Sequence, residues 1–198
     1  MLFAISYRRF AIGPTVAVLL GALVFAGAGG NLAADEHGYT SVPDQTLAAG
    51  DAIPTPSGRK ILTVTGNISG ANMDGAAVFD AATLERIAVV QYTTETAWSD
   101  NPITFDGVLL SAVLDVIGAD SGTSSLKITA LNDYAIEVPI DDAREGPTLL
   151  ALKADGKYMS VRDKGPLWLV YPRHMNAQFG NDKYNARWIW QIATTEVQ

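Results

Sequence analysis

Basic side chains cluster in the last quarter of the chain, around a glycine-proline loop. Arg162 and Lys164 precede the loop, and Arg173 follows the apolar run after it. An arginine can hold a phosphate or a carboxylate through two parallel hydrogen bonds, so this cluster would suit a small anion. An equally good interpretation is a solvated loop whose cations pair with Asp163 and Glu145.

Four tryptophans form the second group of candidate site residues. Indole rings can stack on flat ligands, but aromatic side chains also fill protein cores. Trp188 and Trp190 would share one face of a strand predicted over 187–194, which favours core packing for both. Trp98 belongs to the polar segment 95–102, so we place it at the mouth of a pocket.

The remaining polar residues give weaker signals. His174 is the one histidine in residues 60–198, and a lone histidine cannot build a histidine-rich metal site, so we expect a surface loop residue. Asp141 and Asp142 are expected to start a turn or short helix rather than to act as paired catalytic acids. The glycosylation sequon at Asn67 is a weak signal, and its strand context argues against it.

The composition excludes several classes of function. The 198 residues carry a net charge of −7, and an acidic domain repels nucleic acid and anionic lipid. The chain has no cysteine, which excludes disulfides, a catalytic thiol and a thiolate metal site.

The N-terminal residues 1–34 have the pattern of a Sec-type signal peptide. Arg8 and Arg9 precede an uncharged run whose apolar centre spans 16–26, and small residues lead to Ala34. Cleavage there would change the net charge to −9, since it removes two arginines and no acid. The run is nearly long enough to be an uncleaved membrane anchor instead. Both alternatives place the domain outside the cytoplasm, in the periplasm or secreted.

The rest of the chain predicts a leader followed by one domain. Residues 35–59 are rich in Gly, Ala, Pro and Asp and are expected to form an extended, poorly ordered leader. Residues 60–198 are expected to form the domain. Its first half should contain a strand near 61–68, a short helix capped by Asp80, a strand over 87–96, a short strand or turn over 103–105 and a helix over 108–117.

The second half of the domain predicts a series of strands. The segments 126–131 and 134–140 are separated by Asn132 and Asp133, which favour a tight turn. The segments 149–154 and 157–161 flank an Asp-Gly pair, which is a strong hairpin signal. With 167–171 and 187–194, these strands predict a single α+β domain, rich in β-structure, with few short helices.

Several motifs occur in an order that resembles the oxidoreductase molybdopterin-binding domain, the catalytic domain of the sulfite oxidase family. The resemblance covers roughly residues 61–193 and is greatest for a small secreted bacterial branch of the family. Its motifs are Trp98; Phe105-Asp106-Gly107-Val108-Leu109-Leu110; Ile128-Thr129-Ala130-Leu131-Asn132-Asp133-Tyr134; Ala151-Leu152-Lys153-Ala154-Asp155-Gly156; Gly165-Pro166-Leu167-Trp168-Leu169-Val170-Tyr171-Pro172; and Trp188-Ile189-Trp190-Gln191. The resemblance implies the mixed, β-rich fold of sulfite oxidase.

The same resemblance implies a metal ligand that this chain does not have. Members of the family hold molybdenum through a cysteine thiolate just after the strand that here ends at Tyr92. Thr94 is the best match for that cysteine, with Thr93 as the alternative. A threonine hydroxyl is a hard, neutral oxygen and replaces a soft thiolate poorly.

The sequence therefore predicts an exported domain of this family that lacks a catalytic molybdenum centre. We expect it to bind a small anionic or planar ligand, or a periplasmic or membrane partner protein, at a remnant pocket, and we expect no cofactor. The residues assigned to that pocket are Thr94, Trp98, Arg162, Lys164 and Arg173, with Asn132, Asp133 and Tyr134 as weaker candidates.

The alternative is an enzyme, and the sequence leaves this question open. In that case the chain would bind molybdopterin, with Thr94 or solvent oxygen at the metal, as a periplasmic oxidoreductase. Cofactor insertion before export would require folded transport, for which the segment around Arg8 and Arg9 is a poor twin-arginine match. A third possibility is an interaction module that serves a membrane sensor.

Overall fold

Strands dominate the computed structural model, which describes residues 38–42 and 45–198. The predicted signal peptide lies outside the described residues. The strands are β1 (Thr40–Ser41), β2 (Lys60–Gly66), β3 (Ala77–Asp80), β4 (Val89–Thr94), β5 (Ile103–Leu109), β6 (Ser125–Ala130), β7 (Ala135–Pro139), β8 (Leu149–Ala154), β9 (Lys157–Tyr158), β10 (Trp168–Val170) and β11 (Ile192–Val197). The α-helices are α1 (Ala81–Leu84), α2 (Leu110–Val116), α3 (Ile140–Arg144) and α4 (Asp182–Asn185). Among the described residues, no helix is long and apolar enough to span a membrane.

The strands form two sheets around a shared core. The first sheet has the order β1-β4-β5-β8-β10, with β9 paired to β8, and the second has the order β3-β2-β11-β6-β7. Neighbouring strands are antiparallel, apart from the parallel pair of β11 and β2. Buried residues of both sheets and of α2 belong to one hydrophobic cluster. This α+β architecture, rich in β-structure with short helices, confirms the predicted fold class.

The boundary between β5 and α2 differs from the prediction. We expected a helix from residue 108, but Val108 and Leu109 continue β5, where they pair with Leu150 and Leu149 of β8. Sheet pairing has overridden the helical spacing of these two apolar residues. The predicted end of the helix is confirmed, since Gly118 follows α2 with φ +56°.

The predicted strand over 187–194 is wrong in its first half. The backbone N–H groups of Arg187 and Trp188 donate to the carbonyls of Tyr184 and Asn185, so these residues continue the turn after α4. Gln191 then has φ +57°, and β11 starts only after it. The expected alternation of faces is lost, because consecutive residues Trp188 and Ile189 are both buried.

The described part of the predicted leader packs on the domain. Leu47 and Ile53 are buried in the core, and the N–H of Leu47 donates to the carbonyl of Arg86. Thr40 and Ser41 pair with β4 as a short edge strand. These residues therefore differ from the poorly ordered segment that their composition predicts, because two apolar side chains in a polar stretch are enough to anchor it.

Candidate functional site

The four tryptophans come together in one cluster, which we call the tryptophan cluster (Trp98, Trp168, Trp188, Trp190). The ring of Trp98 lies 5.5 Å from those of Trp188 and Trp190 and 6.3 Å from that of Trp168, measured between centroids. An isolated bridge pairs Trp168 with Trp190, so β10 and the segment before β11 hold two of the rings side by side. These tilted and edge-to-face contacts are favourable arrangements for aromatic rings.

Hydrogen bonds fix the loop that carries Trp98. The hydroxyl of Thr96 accepts from the backbone N–H of Trp98 at 3.1 Å, and it shares a hydrogen bond with the hydroxyl of Ser99 at 2.8 Å. Ser99 in turn donates to the carbonyl of Asn101. The loop thus holds Trp98 over the other three rings, where its side chain remains 38% exposed.

A cleft of about 310 Å³ opens beside the cluster, and we call it the aromatic cleft. It is lined by Trp98, Ala130, Asn132, Tyr134, Asn185, Ala186, Trp188, Ile189 and Trp190. The turn between β6 and β7 contributes Asn132 and Tyr134 to this lining. Of the two residues predicted to form a tight turn, Asp133 has a positive φ, +65°, and Asn132 does not, so the loop is longer than the predicted two-residue turn. The volume lies at the small end of the range for ligand pockets.

The structure thus places Trp98 at the mouth of a cleft, and two of the weaker candidates line the same cleft. The core packing predicted for Trp188 and Trp190 is confirmed, since Trp188 belongs to the hydrophobic core and Trp190 packs against it. Trp188 is buried and Trp190 is half-buried, yet both form part of the cleft wall.

Thr94 lies at the end of β4 and does not line the aromatic cleft. Its side chain is 1% exposed, and its hydroxyl accepts the backbone N–H of His174 at 3.3 Å. The exposed ring of His174 packs on Tyr92 at 5.1 Å. Tyr92 is buried and donates to the carbonyl of Val170, and burial raises the pKa of its phenol well above the ordinary value.

The three basic candidates do not line the aromatic cleft. Arg162 is exposed on a 3₁₀ turn, while Arg173 donates to the carbonyl of Gly180 at 3.0 Å. The ammonium of Lys164 lies 4.6 Å from the ring centroid of Trp168 and 5.8 Å from that of Trp190, so it supports the tryptophan cluster by cation–π contacts. Within the described part of the chain, none of the three pairs with Asp163 or Glu145.

Sequence reasoning missed a buried polar network next to the cluster. One guanidinium nitrogen of Arg187 contacts both carboxylate oxygens of Asp142, at 2.7 and 2.8 Å, and the phenol of Tyr171 donates to the same carboxylate. Burial, reinforced by this carboxylate, raises the pKa of Tyr171. The helix predicted near Asp142 is present as α3, but 45 residues separate the two ions, so no local pattern could have paired them.

Comparison with known proteins identifies the family. A family model described as "Oxidoreductase molybdopterin binding domain" matches residues 76–198. The chain belongs to this family. The match begins later than the predicted resemblance and extends through β11, to the last residue given.

The family fold is also seen in a solved structure. The crystal structure of the sulfane dehydrogenase SoxCD from Paracoccus pantotrophus is similar to this family member, with a TM-score of 0.50 and 15% sequence identity. The similarity covers 89% of this chain but only 55% of the SoxCD chain, and at this identity it shows the fold alone. No curated protein matches the sequence.

Family membership makes molybdopterin the first cofactor to consider, and it does not support the expectation that no cofactor is bound. The described residues nevertheless fit a molybdenum ion poorly. Thr94, the best match for the metal-ligating cysteine, offers a buried neutral hydroxyl that already accepts a backbone N–H. No group of three or more His, Cys, Asp or Glu side chains in residues 38–42 and 45–198 is arranged to hold a metal.

Proposed function

We propose that this member of the molybdopterin-binding family binds a planar small molecule in the aromatic cleft and works without a catalytic molybdenum centre. The observation that carries the proposal is the wall of the cleft. Trp98, Trp188 and Trp190 line it together with Tyr134, whose ring is 55% exposed. Aromatic rings that are held in place by packing stack on flat ligands at little cost in conformational entropy.

The cleft favours a planar ligand over a strongly anionic one. Its lining contains aromatic and aliphatic side chains and two asparagines, and none of Arg162, Lys164 and Arg173 belongs to it. A charged ligand would lose its hydration on entering the cleft and would find no ion-pair partner there. Such desolvation of an unpaired charge costs binding free energy. The amides of Asn132 and Asn185 instead suit a neutral ligand with polar edges.

Export of the protein is part of the same proposal. It rests on the signal-like pattern of residues 1–34 and leads us to expect a periplasmic or secreted protein. Partners would then be small molecules of that compartment, or a periplasmic or membrane protein that docks at the exposed rim of Leu131 and Tyr134.

The first test is a measurement of cofactor content. The chain would be expressed with its native N-terminus in a host that makes molybdopterin, and molybdenum would be measured by mass spectrometry and pterin by chromatography. We expect no stoichiometric molybdenum, because Thr94 is a poor ligand. Near-stoichiometric metal with pterin would contradict the proposal.

That contrary result would support the second candidate function, a molybdopterin-dependent oxidoreductase with an unusual metal ligand set. The observation in its favour is family membership across residues 76–198. Pterin without metal would leave the ligand-binding proposal intact and identify the cofactor's organic part as the ligand.

Binding of planar compounds tests the cleft directly. Purine and quinazoline would be titrated by calorimetry into the wild type, Trp98→Ala and Arg173→Ala. Loss of a stacking ring costs about 1–3 kcal/mol, so Trp98→Ala should weaken binding roughly fivefold to a hundredfold. Arg173→Ala should bind as the wild type does, since Arg173 does not line the cleft. Equal affinity of all three proteins would exclude stacking on Trp98.

A further inference from the structure

One edge of the second sheet is unpaired. β7 is the last strand in the order β3-β2-β11-β6-β7, so β6 is its one neighbour in the sheet. The antiparallel register of the two strands is regular, since Thr129 pairs with Ala135 and Ser125 with Pro139. Each residue of β7 therefore directs its backbone N–H and C=O groups either to β6 or away from the sheet, in alternation.

Hydrogen bonds at the two ends of this register show which residues bond to β6. The N–H of Ala130 donates to the carbonyl of Tyr134 at 2.8 Å. At the other end, the N–H of Ile140 donates to the carbonyl of Ser124 at 3.0 Å. Both bonds follow the register of the strands, so the residues that bond to β6 are the even-numbered ones of this segment.

The outward-facing residues of β7 are Ala135 and Glu137. Both are exposed, and within the described part of the chain their backbone N–H and C=O groups have no hydrogen-bond partner. Pro139 has no N–H, and as the N-cap of α3 it directs its carbonyl into that helix. The free edge therefore offers two donors and two acceptors, which an added strand would satisfy with four hydrogen bonds.

The other sheet edges of three or more residues in the described chain are closed. At β3, the side-chain amide of Asn72 donates to the carbonyl of Val78 and accepts its N–H, both at 2.8 Å, so it replaces a neighbouring strand. β1 covers β4, and the N–H of Leu169 in β10 donates to the carbonyl of Ile189. Proteins protect edge strands because an open edge pairs with other chains. The open edge of β7 thus indicates a docking surface.

Charge identifies the kind of chain that suits this edge. Glu137 is exposed and has no ion-pair partner among the described residues, and the exposed Asp133 and Asp141 lie just beyond the two ends of β7. Lys127, opposite Glu137 on β6, is the one basic residue of the two strands. A second copy of this chain would bring the same acids and a net charge of −7 to the edge, whereas a basic segment would bring complementary charge.

We propose that β7 is a docking edge for a partner protein, which adds a short, extended, basic segment to the second sheet as its sixth strand. The backbone of the segment bonds to Ala135 and Glu137, and its lysine or arginine side chains lie against the carboxylate of Glu137. None of the residues that line the aromatic cleft belongs to β7, so this inference does not depend on the ligand of the cleft.

Peptides of opposite charge test this assignment. Capped, fluorescein-labelled Lys-Val-Lys-Val-Lys and Glu-Val-Glu-Val-Glu would be titrated with the full chain and followed by fluorescence anisotropy. The lysine peptide should bind with a Kd below about 1 mM, and about fivefold more tightly than the glutamate peptide. A lysine peptide in which every backbone amide is N-methylated should not bind, because it keeps the charge and loses the donors of the strand.

Variants locate the peptide on β7. Ala135→Pro removes an outward N–H and places a ring on the edge, where proline is tolerated, so it should weaken binding of the lysine peptide at least about fivefold. Ala135→Val keeps the N–H and should bind as the wild type does. Glu137→Lys should remove the preference for the lysine peptide. Asp74→Lys is its matched control, because the exposed Asp74 lies between β2 and β3, at the opposite end of the sheet.

Hydrogen exchange in the wild type gives a readout that needs no variant. The amides of Ala135 and Glu137 should exchange rapidly in the free chain, whereas those of Ile136 and Val138, which bond to β6, should be protected. Addition of the lysine peptide should slow exchange at Ala135 and Glu137.

Several outcomes would overturn the proposal. They are the absence of binding of the lysine peptide up to about 1 mM, equal affinity for the glutamate or N-methylated peptide, and unchanged affinity of Ala135→Pro. Protection of Ala135 and Glu137 without peptide, increasing with protein concentration, would assign the edge to a second copy of the chain instead. Trp98→Ala should bind the lysine peptide as the wild type does, so failure of ligand binding in the aromatic cleft would leave this inference standing.

Discussion

The ion pair of Asp142 and Arg187 is the most buried of the ion pairs among the described residues. Its side chains are 6% and 16% exposed, and Tyr171 adds a hydrogen bond to the carboxylate. The network contacts the wall of the cleft, because the ring of Tyr171 lies 6.1 Å from that of Trp188. Removal of one partner from a buried pair leaves the other charge without compensation.

Asp142→Ala should therefore lower the free energy of unfolding by about 3–5 kcal/mol, as measured by urea denaturation. Asp115→Ala is the control, because the side chains of Asp115 and its partner Arg144 are 52% and 40% exposed. An exposed pair contributes less than about 1 kcal/mol. Similar losses in the two variants would show that the Asp142 pair is hydrated in solution.

At the scale of the elements, Asp80 joins three segments of the chain. Its carboxylate accepts the N–H of Thr83 at the start of α1 and the N–H of Gly58 at 2.6 Å. Burial acts to raise the pKa of Asp80, but hydrogen bonds from Thr83, Gly58 and Ser57 outweigh it and lower the pKa below the ordinary value.

Asp80→Ala should cost about 1–2 kcal/mol at pH 7, since it removes this cap. Because the folded-state pKa is lowered, the charged form contributes its stability fully above the ordinary value of about 3.9 and loses it as the pH falls through the folded-state pKa. Asp80→Asn keeps an acceptor oxygen without the titration, so it should cost less. Urea midpoints at pH 7 and pH 2.5 would test this, and an equal cost of Asp80→Ala at both values would contradict it.

Turns and helix caps were predicted best from the sequence, because residues close together in the chain determine them. Asp155 and Gly156 adopt φ +48° and +74°, as a hairpin turn of this type requires. Asp80 caps α1 as predicted. The predicted boundaries are wrong where contacts with distant segments of the chain determine the secondary structure. Val108 is an example, because its pairing with β8 keeps it in β5.

Only part of the candidate site could be predicted from the sequence. A tryptophan in a polar loop was enough to place Trp98 at a cleft, but the orientation of Asn185 and Trp188 depends on a turn after α4 that the predicted strand concealed. The basic residues are close in sequence and nevertheless point to different neighbours. Proximity along a loop does not fix the direction of a long side chain.

At the scale of the whole molecule, two buried tyrosines should make the stability of the fold depend on pH in the alkaline range. Tyr92 and Tyr171 are both buried, and burial raises the pKa of each. The folded state therefore retains protons that the unfolded chain releases above the ordinary tyrosine value of about 10. The contribution of these groups to stability should be constant below that pH and should fall as the pH rises above it.

Urea denaturation at pH 8 and pH 10.5 would measure this loss. Tyr92→Phe and Tyr171→Phe should each reduce the difference between the two pH values, because each removes one buried phenol. Tyr134→Phe is the control for the loss of a phenol, since Tyr134 is 55% exposed. A loss at pH 10.5 that neither buried substitution reduces would contradict the assignment.

The tryptophan cluster also determines what the intrinsic fluorescence of the protein reports. All four tryptophans of the sequence belong to it, and neighbouring ring centroids lie 5.5–6.3 Å apart. At such separations, excitation passes between indoles faster than it is emitted. Fluorescence from any of the four rings therefore reports on this one place, and a molecule that enters the cleft would quench the emission of the whole chain rather than a quarter of it.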